Sequence, residues 1–165
     1  MDRYDEYCVK AKLQGAGILG IAGGVLLILV GAFIFFALTT AGILIIALGF
    51  VLCTFSKDST NVEYEYIFTN GDIDVAKVIA KKRRKNILSV GVDSIAKMDR
   101  GDSDKVKNDI SLGKMKIKKY LGKDDPNPIA FYVGEGDNQY LLLLDLNDTC
   151  VDHMKSVLKV KSEIK

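Results

Sequence analysis

From Leu13 to Ser56 the chain runs for 44 residues without an Asp, Glu, Lys, Arg or His. A continuous uncharged apolar run of that kind is the signature of a membrane-spanning segment, not of a small water-soluble core. A single helix of this length would extend about 66 Å, roughly twice the hydrocarbon thickness of a bilayer. The run must therefore turn back on itself. Two hydroxyls and a glycine interrupt the aliphatics at Leu38-Thr39-Thr40-Ala41-Gly42, predicting a first span over Gly15–Ala37 and a second over Ala41–Phe55. The second span is short and is expected to borrow Thr39, Thr40 and Ser56. The apolar region is also too long for a signal peptide, so it is expected to be retained.

Orientation follows from the flanking charges. Lys10 and Lys12 precede the run and Lys57 follows it, with Lys81-Lys82-Arg83-Arg84-Lys85 further on. The positive-inside rule places these flanks, and so both termini, in the cytoplasm of a two-span cell-membrane protein. Within the run, Gly17, Gly24 and Gly31 recur every seven residues, with Gly20 beside them, and Gly42 and Gly49 keep the same interval in the second span. Small residues let lipid-embedded helices approach closely, so these six glycines are expected to pack helix on helix. Packing within the hairpin is the simpler reading, and homodimerisation through Gly20 and Gly24 is the alternative. No ionisable group lies inside, which argues against a proton or ion pathway.

Residues 1–12 form a short mixed-charge cytoplasmic segment, 13–56 the hairpin and 57–165 a cytoplasmic domain. That domain carries 20 Lys and Arg against 18 Asp and Glu, so local clusters rather than net charge carry any electrostatic argument. After a polar hinge at 57–61, Val62, Tyr64, Tyr66 and Phe68 alternate with more polar positions, which predicts a half-buried strand. Asn70-Gly71 is a strong hairpin-turn signal. Further strands are expected at 72–80, 86–92, 93–98, 114–118, 129–133 and 139–146, with a charged loop over Asp99–Asp109. Leu141–Leu144 implies a strand buried on both faces. An amphipathic C-terminal helix follows, with Asn147 or Thr149 as cap and Val151, Met154 and Leu158 on one stripe.

About seven short strands and one closing helix read as an antiparallel barrel or pair of curved sheets capped by a helix, an α+β domain behind the helical hairpin. The string Phe68-Thr69-Asn70-Gly71-Asp72-Ile73, followed by Arg83-Arg84-Lys85 and Val92-Asp93-Ser94-Ile95-Ala96-Lys97-Met98, resembles bacterial PH-like (pleckstrin-homology-like) domains. With Tyr64–Asp74 and Lys77–Lys85 added, the chain resembles a family of small two-span membrane proteins of low-GC Gram-positive bacteria. The resemblance implies a PH-like fold and no particular activity. Lipid-binding PH domains of eukaryotes carry their basic cluster in the first hairpin loop. Here that loop is the tight Asn70-Gly71 turn, so the resemblance does not extend to a phosphoinositide pocket.

Chemistry is sparse. His153 is the only histidine, and Cys8, Cys53 and Cys150 form no CxxC pair, leaving no metal-ligand pattern, cofactor signature or nucleophile–base set. The reading is non-enzymatic. The basic run Lys81, Lys82, Arg83, Arg84 and Lys85 is either a solvated strand end or a contact for the anionic inner leaflet, joined there by Lys114, Lys116, Lys118 and Lys119. The absence of an aromatic stacking platform argues against nucleic acid. The expected function is a membrane-anchored module touching anionic phospholipid headgroups. The alternative is a membrane-tethered scaffold that recruits a protein partner by strand addition at a sheet edge or in an apolar groove, with a homo-oligomer as the other candidate partner.

Overall fold

The computed structural model describes residues 3–11, 15–113, 115–123 and 128–159. They form two compact units. One comprises the chain up to Ala11, Glu63–Val78 and the chain from Arg84 onward. The other comprises the segment ending at Val62 together with Ile79–Arg83.

The second unit is built on two helices, α1 (Gly15–Phe35) and α2 (Thr39–Thr60). Both are long and apolar enough to cross a membrane. At 21 and 22 residues they extend roughly 30 Å each, about one hydrocarbon thickness. The reversal falls at Phe36–Leu38, where the Leu38 N–H still bonds the Ile34 carbonyl at 2.8 Å. The turn is thus shorter than the Leu38–Gly42 stretch, and α2 takes in Thr39, Thr40 and Ser56, as the shortness of the second apolar stretch implies. At the other end α2 runs through Lys57–Thr60, so most of the expected polar hinge is helical. Ser59 and Thr60 donate their hydroxyls to the Phe55 and Lys57 carbonyls, which lets these polar residues sit in the last turn.

The buried residues of α1 are Gly17, Gly24 and Gly31, and those of α2 are Gly42, Gly49 and Ser56. They meet as Gly17 with Ser56, Gly24 with Gly49 and Gly31 with Gly42, a seven-residue register running antiparallel. Seven residues is the period of left-handed helix pairing. A Cβ on Gly24 would stand 2.9 Å from the Gly49 carbonyl oxygen, and one on Gly49 would stand 2.8 Å from that of Gly24. Both obstacles are backbone, which cannot rotate away. A Cβ on Gly20 would strike the Ser56 hydroxyl.

The first unit holds two four-stranded sheets. The first has the order β1-β2-β3-β4, from β1 (Tyr4–Lys10), β2 (Val62–Thr69), β3 (Asp72–Ile79) and β4 (Arg83–Val90). The second has the order β5-β7-β8-β6, from β5 (Ile95–Arg100), β6 (Lys116–Tyr120), β7 (Ile129–Val133) and β8 (Tyr140–Leu144). The described strands number eight, against about seven expected, and the addition is β1, where the sequence gives only a weak alternation. It pairs antiparallel with β2 over its whole length, from Tyr4 opposite Thr69 to Lys10 opposite Glu63. The helical hairpin is thus an insertion between two neighbouring strands: the chain leaves the sheet at Lys10 and returns at that residue's own ladder partner.

Two further differences have local causes. The expected charged loop over Asp99–Asp109 contains α3 (Asp104–Ser111), capped by the Ser103 side chain, which accepts from the Val106 N–H. Val106 and Ile110, four residues apart, give this helix its apolar stripe. And β6 lies parallel to β8, so the sheet is mixed rather than wholly antiparallel.

The main core joins Tyr66, Phe68, Ile73 and Val75 of the first sheet to Phe131, Leu142 and Leu144 of the second. The C-terminal helix α4 (Asp148–Leu158) adds Cys150, Met154 and Leu158. A smaller core on the other face of β7 and β8 gathers Ala130, Tyr132, Leu141 and Leu143 around Val106 of α3. Leu141–Leu144 is accordingly buried on both faces. Asn147 caps α4, accepting from the Cys150 N–H at 3.0 Å. His153, fully buried on α4, sets its Nδ1 2.6 Å from Asp5 Oδ2 of β1. Arg3 lies 3.6 Å from the same carboxylate and donates to Ser156 Oγ, so the first strand is fastened to the last helix.

Gly24→Val is expected to disrupt the α1–α2 pairing at a cost of about 1–3 kcal/mol from overpacking. Gly15→Ala, where nothing lies within 4 Å, is expected to be near neutral. Thermal unfolding in detergent separates them, and equal melting temperatures would contradict the register. Replacing residues 12–61 by a two-residue turn is expected to leave a cooperatively folding soluble domain, because Lys10 and Glu63 are already paired. A chain starting at Lys57 lacks β1 and is expected to unfold at markedly lower denaturant; identical midpoints would show β1 to be dispensable.

Candidate membrane-facing basic site

The basic run 81–85 begins in a turn and ends in a strand. Ala80 and Lys81 both take left-handed backbone, at φ 52° and 56°, and the Lys82 N–H donates to the Ile79 carbonyl at 3.0 Å. Two consecutive residues at positive φ are the two-residue hairpin turn that suits strand twist. The Ala80 N–H donates in turn to the carbonyl of Asn61, the residue that closes α2, at 2.7 Å. Lys81, Lys82 and Arg83 consequently belong to the same compact unit as the two apolar helices. All three are exposed, and none forms an ion pair among the described residues.

Arg84 and Lys85 lie on β4 in the sheet unit. Arg84 is already engaged: its Nε is 2.7 Å from Glu65 Oε2. Burial, followed by a hydrogen bond shared with Glu6, holds the Glu65 carboxyl above its usual range, while Arg84 pulls it back down. Tyr4 extends the set by donating its hydroxyl to Glu6 at 2.8 Å, which lowers the Glu6 carboxyl. Arg84 thus neutralises an acidic pair and has little charge to offer a surface.

Of the second group, Lys114 lies outside the described residues. Lys116, Lys118 and Lys119 are on β6, at the edge of the second sheet. Lys116 and Lys118 share a face by strand alternation, and Lys119 points to the other with Ile117. Lys118 is half-buried with its Nζ 4.0 Å from the Tyr140 ring centroid, a cation–π contact. Lys116 and Lys119 are exposed. Arg84 and Lys85 therefore belong to one sheet and the β6 lysines to the other, while the turn lysines belong to the helical unit. Sequence alternation finds the lysine face, but not the tyrosine ring that occupies one of its members.

Among the described residues, no three His, Cys, Asp or Glu side chains are placed to hold a metal ion. Cys150 is buried, and burial, with a smaller push from Asp5, raises its thiol to about 11, well away from a reactive thiolate. Tyr66, which donates to the Tyr120 carbonyl at 2.6 Å, is pushed up chiefly by burial. Both are core groups.

Searches of curated proteins and of solved structures return no match. A family model described as a bacterial PH-like domain (DUF6106) matches residues 1–163, a span that takes in β1, both apolar helices and the two sheets. With two sheets, a closing helix and a helical hairpin inserted after the first strand, the chain belongs to the bacterial PH-like domain family DUF6106.

Proposed function

We propose that this chain is a non-enzymatic membrane-anchored PH-like module whose basic turn contacts the anionic inner leaflet. The observation that carries the reading is the hydrogen bond from Ala80 to Asn61, which ties Lys81 and Lys82 to the end of an apolar helix of spanning length. With Lys57 in the last turn of α2 and Arg83 beside the turn, four cations gather where that helix leaves its charge-free stretch. Each is worth about 1 kcal/mol near an anionic surface, an attraction that salt screens. Both ends of the hairpin lie on one side, because Lys10 and Glu63 are ladder partners, and the lysine flanks favour the cytoplasmic side.

In bilayers containing phosphatidylglycerol, backbone amides 80–85 of the full chain are expected to exchange hydrogen more slowly than in phosphatidylcholine alone. The protection is expected to shrink at high salt. Equal exchange in the two bilayers would remove leaflet contact as the role of this turn.

One observation favours the scaffold reading as well. The Asn70 N–H bonds the Arg3 carbonyl, so alternate residues of β1 face β2, and the peptide groups of Glu6 and Cys8 point off the open sheet edge. A cleft of about 420 Å³ lined by Tyr7, Val9, Gly122 and Asp145 adjoins this edge. A strand-adding partner is expected to crosslink to Cys8 in native membranes and to co-purify stoichiometrically; no such protein would leave the edge unassigned.

A further inference from the structure

Beneath the basic turn lies a cleft of about 490 Å³, walled by the last two turns of α2 on one side and by Ala80 and Lys82 on the other. Thr54, Phe55, Asp58 and Asn61 line it at helical spacing, with Lys57 at its rim. We propose that this cleft binds the headgroup of one anionic phospholipid, its phosphodiester between Lys57 and Lys82 and its hydroxyl donors on Asp58. The inference deepens the leaflet-contact reading and rests on it, and on α2 crossing the membrane.

The occupant is argued from the lining. Thr54 and Phe55 belong to the charge-free run, whereas Lys57, Asp58 and Lys82 lie beyond it. The cleft thus straddles the level at which a spanning helix passes from hydrocarbon to headgroups, which suits an amphiphile better than a soluble ion. Its side chains carry two cations and one carboxylate, a net positive charge. Neither lysine has an ion-pair partner among the described residues.

A helix C terminus ordinarily repels phosphate, because its last carbonyls carry partial negative charge. Here the Lys57 carbonyl accepts the Thr60 hydroxyl and that of the capping residue Asn61 accepts the Ala80 N–H, while Ser59 turns its hydroxyl back onto Phe55. Asp58 remains as an acceptor. That combination fits a glycerol-type headgroup, with an anionic phosphodiester for the lysines and hydroxyls for the carboxylate.

The wall is also held in place. Ala80 and Lys81 adopt left-handed backbone that non-glycine residues avoid at roughly 1–2 kcal/mol each. The hairpin between β3 and β4 requires them, and so holds the turn in one shape. The Ala80–Asn61 hydrogen bond fixes the turn that presents Lys82 over the cleft.

The test uses the full chain, purified in neutral detergent and titrated with phosphatidylglycerol or phosphatidylcholine under native mass spectrometry. One phosphatidylglycerol per chain is expected to be retained in preference to phosphatidylcholine. The double variant Lys57→Gln, Lys82→Gln is expected to weaken retention about tenfold. Thr54→Trp, which fills the cleft without changing charge, is expected to weaken it similarly, and Lys116→Gln with Lys119→Gln to leave it unchanged. Equal retention of the two lipids, or insensitivity to both cleft variants, would overturn the site. Displacement of the lipid by millimolar inorganic phosphate would also overturn it, pointing to a soluble phosphate ligand. If one-to-one retention fails while salt-sensitive protection of amides 80–85 persists, the cleft is wrong and leaflet contact stands. If both fail, the leaflet reading falls with it.

Discussion

The β1–β2 ladder is the constraint on which the rest of this structure depends. Seven consecutive residue pairs join strands separated in sequence by the entire helical hairpin. Such a closure is entropically expensive for a flexible loop, but the intervening segment is not flexible. Two antiparallel helices return the chain close to where it left, so most of the loop entropy is lost in forming the hairpin itself. In turn the ladder obliges both ends of the hairpin to meet, which two antiparallel helices satisfy. The Asp5–His153 contact then fastens β1 to α4 from the other side. His153 is fully buried, and leaving a buried polar group without its hydrogen-bond partner costs about 1–3 kcal/mol. This small polar contact therefore bears on the position of the first strand.

Within the hairpin, shape replaces hydrophobic driving force. Lipid is as apolar as leucine, so helices packed within it gain by dispersion at close approach and not by leaving water. Glycine opposite glycine at 24/49 and 31/42 brings the backbones close enough for this. Gly24 and Gly20 face Gly49, Cys53 and Ser56 of the same chain. The serine and the cysteine in this seam act as small packing residues, and the Cys53 thiol reaches the Ile21 carbonyl at 3.7 Å.

Electrostatics divides the lysine- and arginine-rich segments by what surrounds them. Arg84 compensates Glu65, Lys118 lies against Tyr140, and Lys97 lies between Asp99 and the Tyr132 ring. These cations stabilise the sheets. The turn cations Lys81 and Lys82 have been carried to the end of α2 by a hydrogen bond and a strained turn. A basic run that reads as one object along the chain is thus two objects in space, one structural and one presented at the helix end.

The sequence alone determined the hairpin and most of the sheets, because both rest on local periodicity. Forty-four uncharged residues fold as two helices long and apolar enough to cross a membrane, Val62–Phe68 carries its burial in its alternation, Asn70-Gly71 marks its turn, and the unbroken Leu141–Leu144 run marks burial on both faces. Ser103 ahead of Val106 and Ile110 is also a local signal for α3, masked by the charge around it. Tertiary structure decided β1. Its core-facing positions are Asp5, Tyr7 and Val9, and its outward ones include Tyr4 and Cys8, so the pattern of polarity is inverted at the start of the strand. Asp5 can face inward only because His153, far along the chain, supplies its partner. Which of the basic residues remain available was likewise decided in three dimensions, since Glu65, Tyr140 and Asn61 are remote in sequence from most of the groups they engage or position.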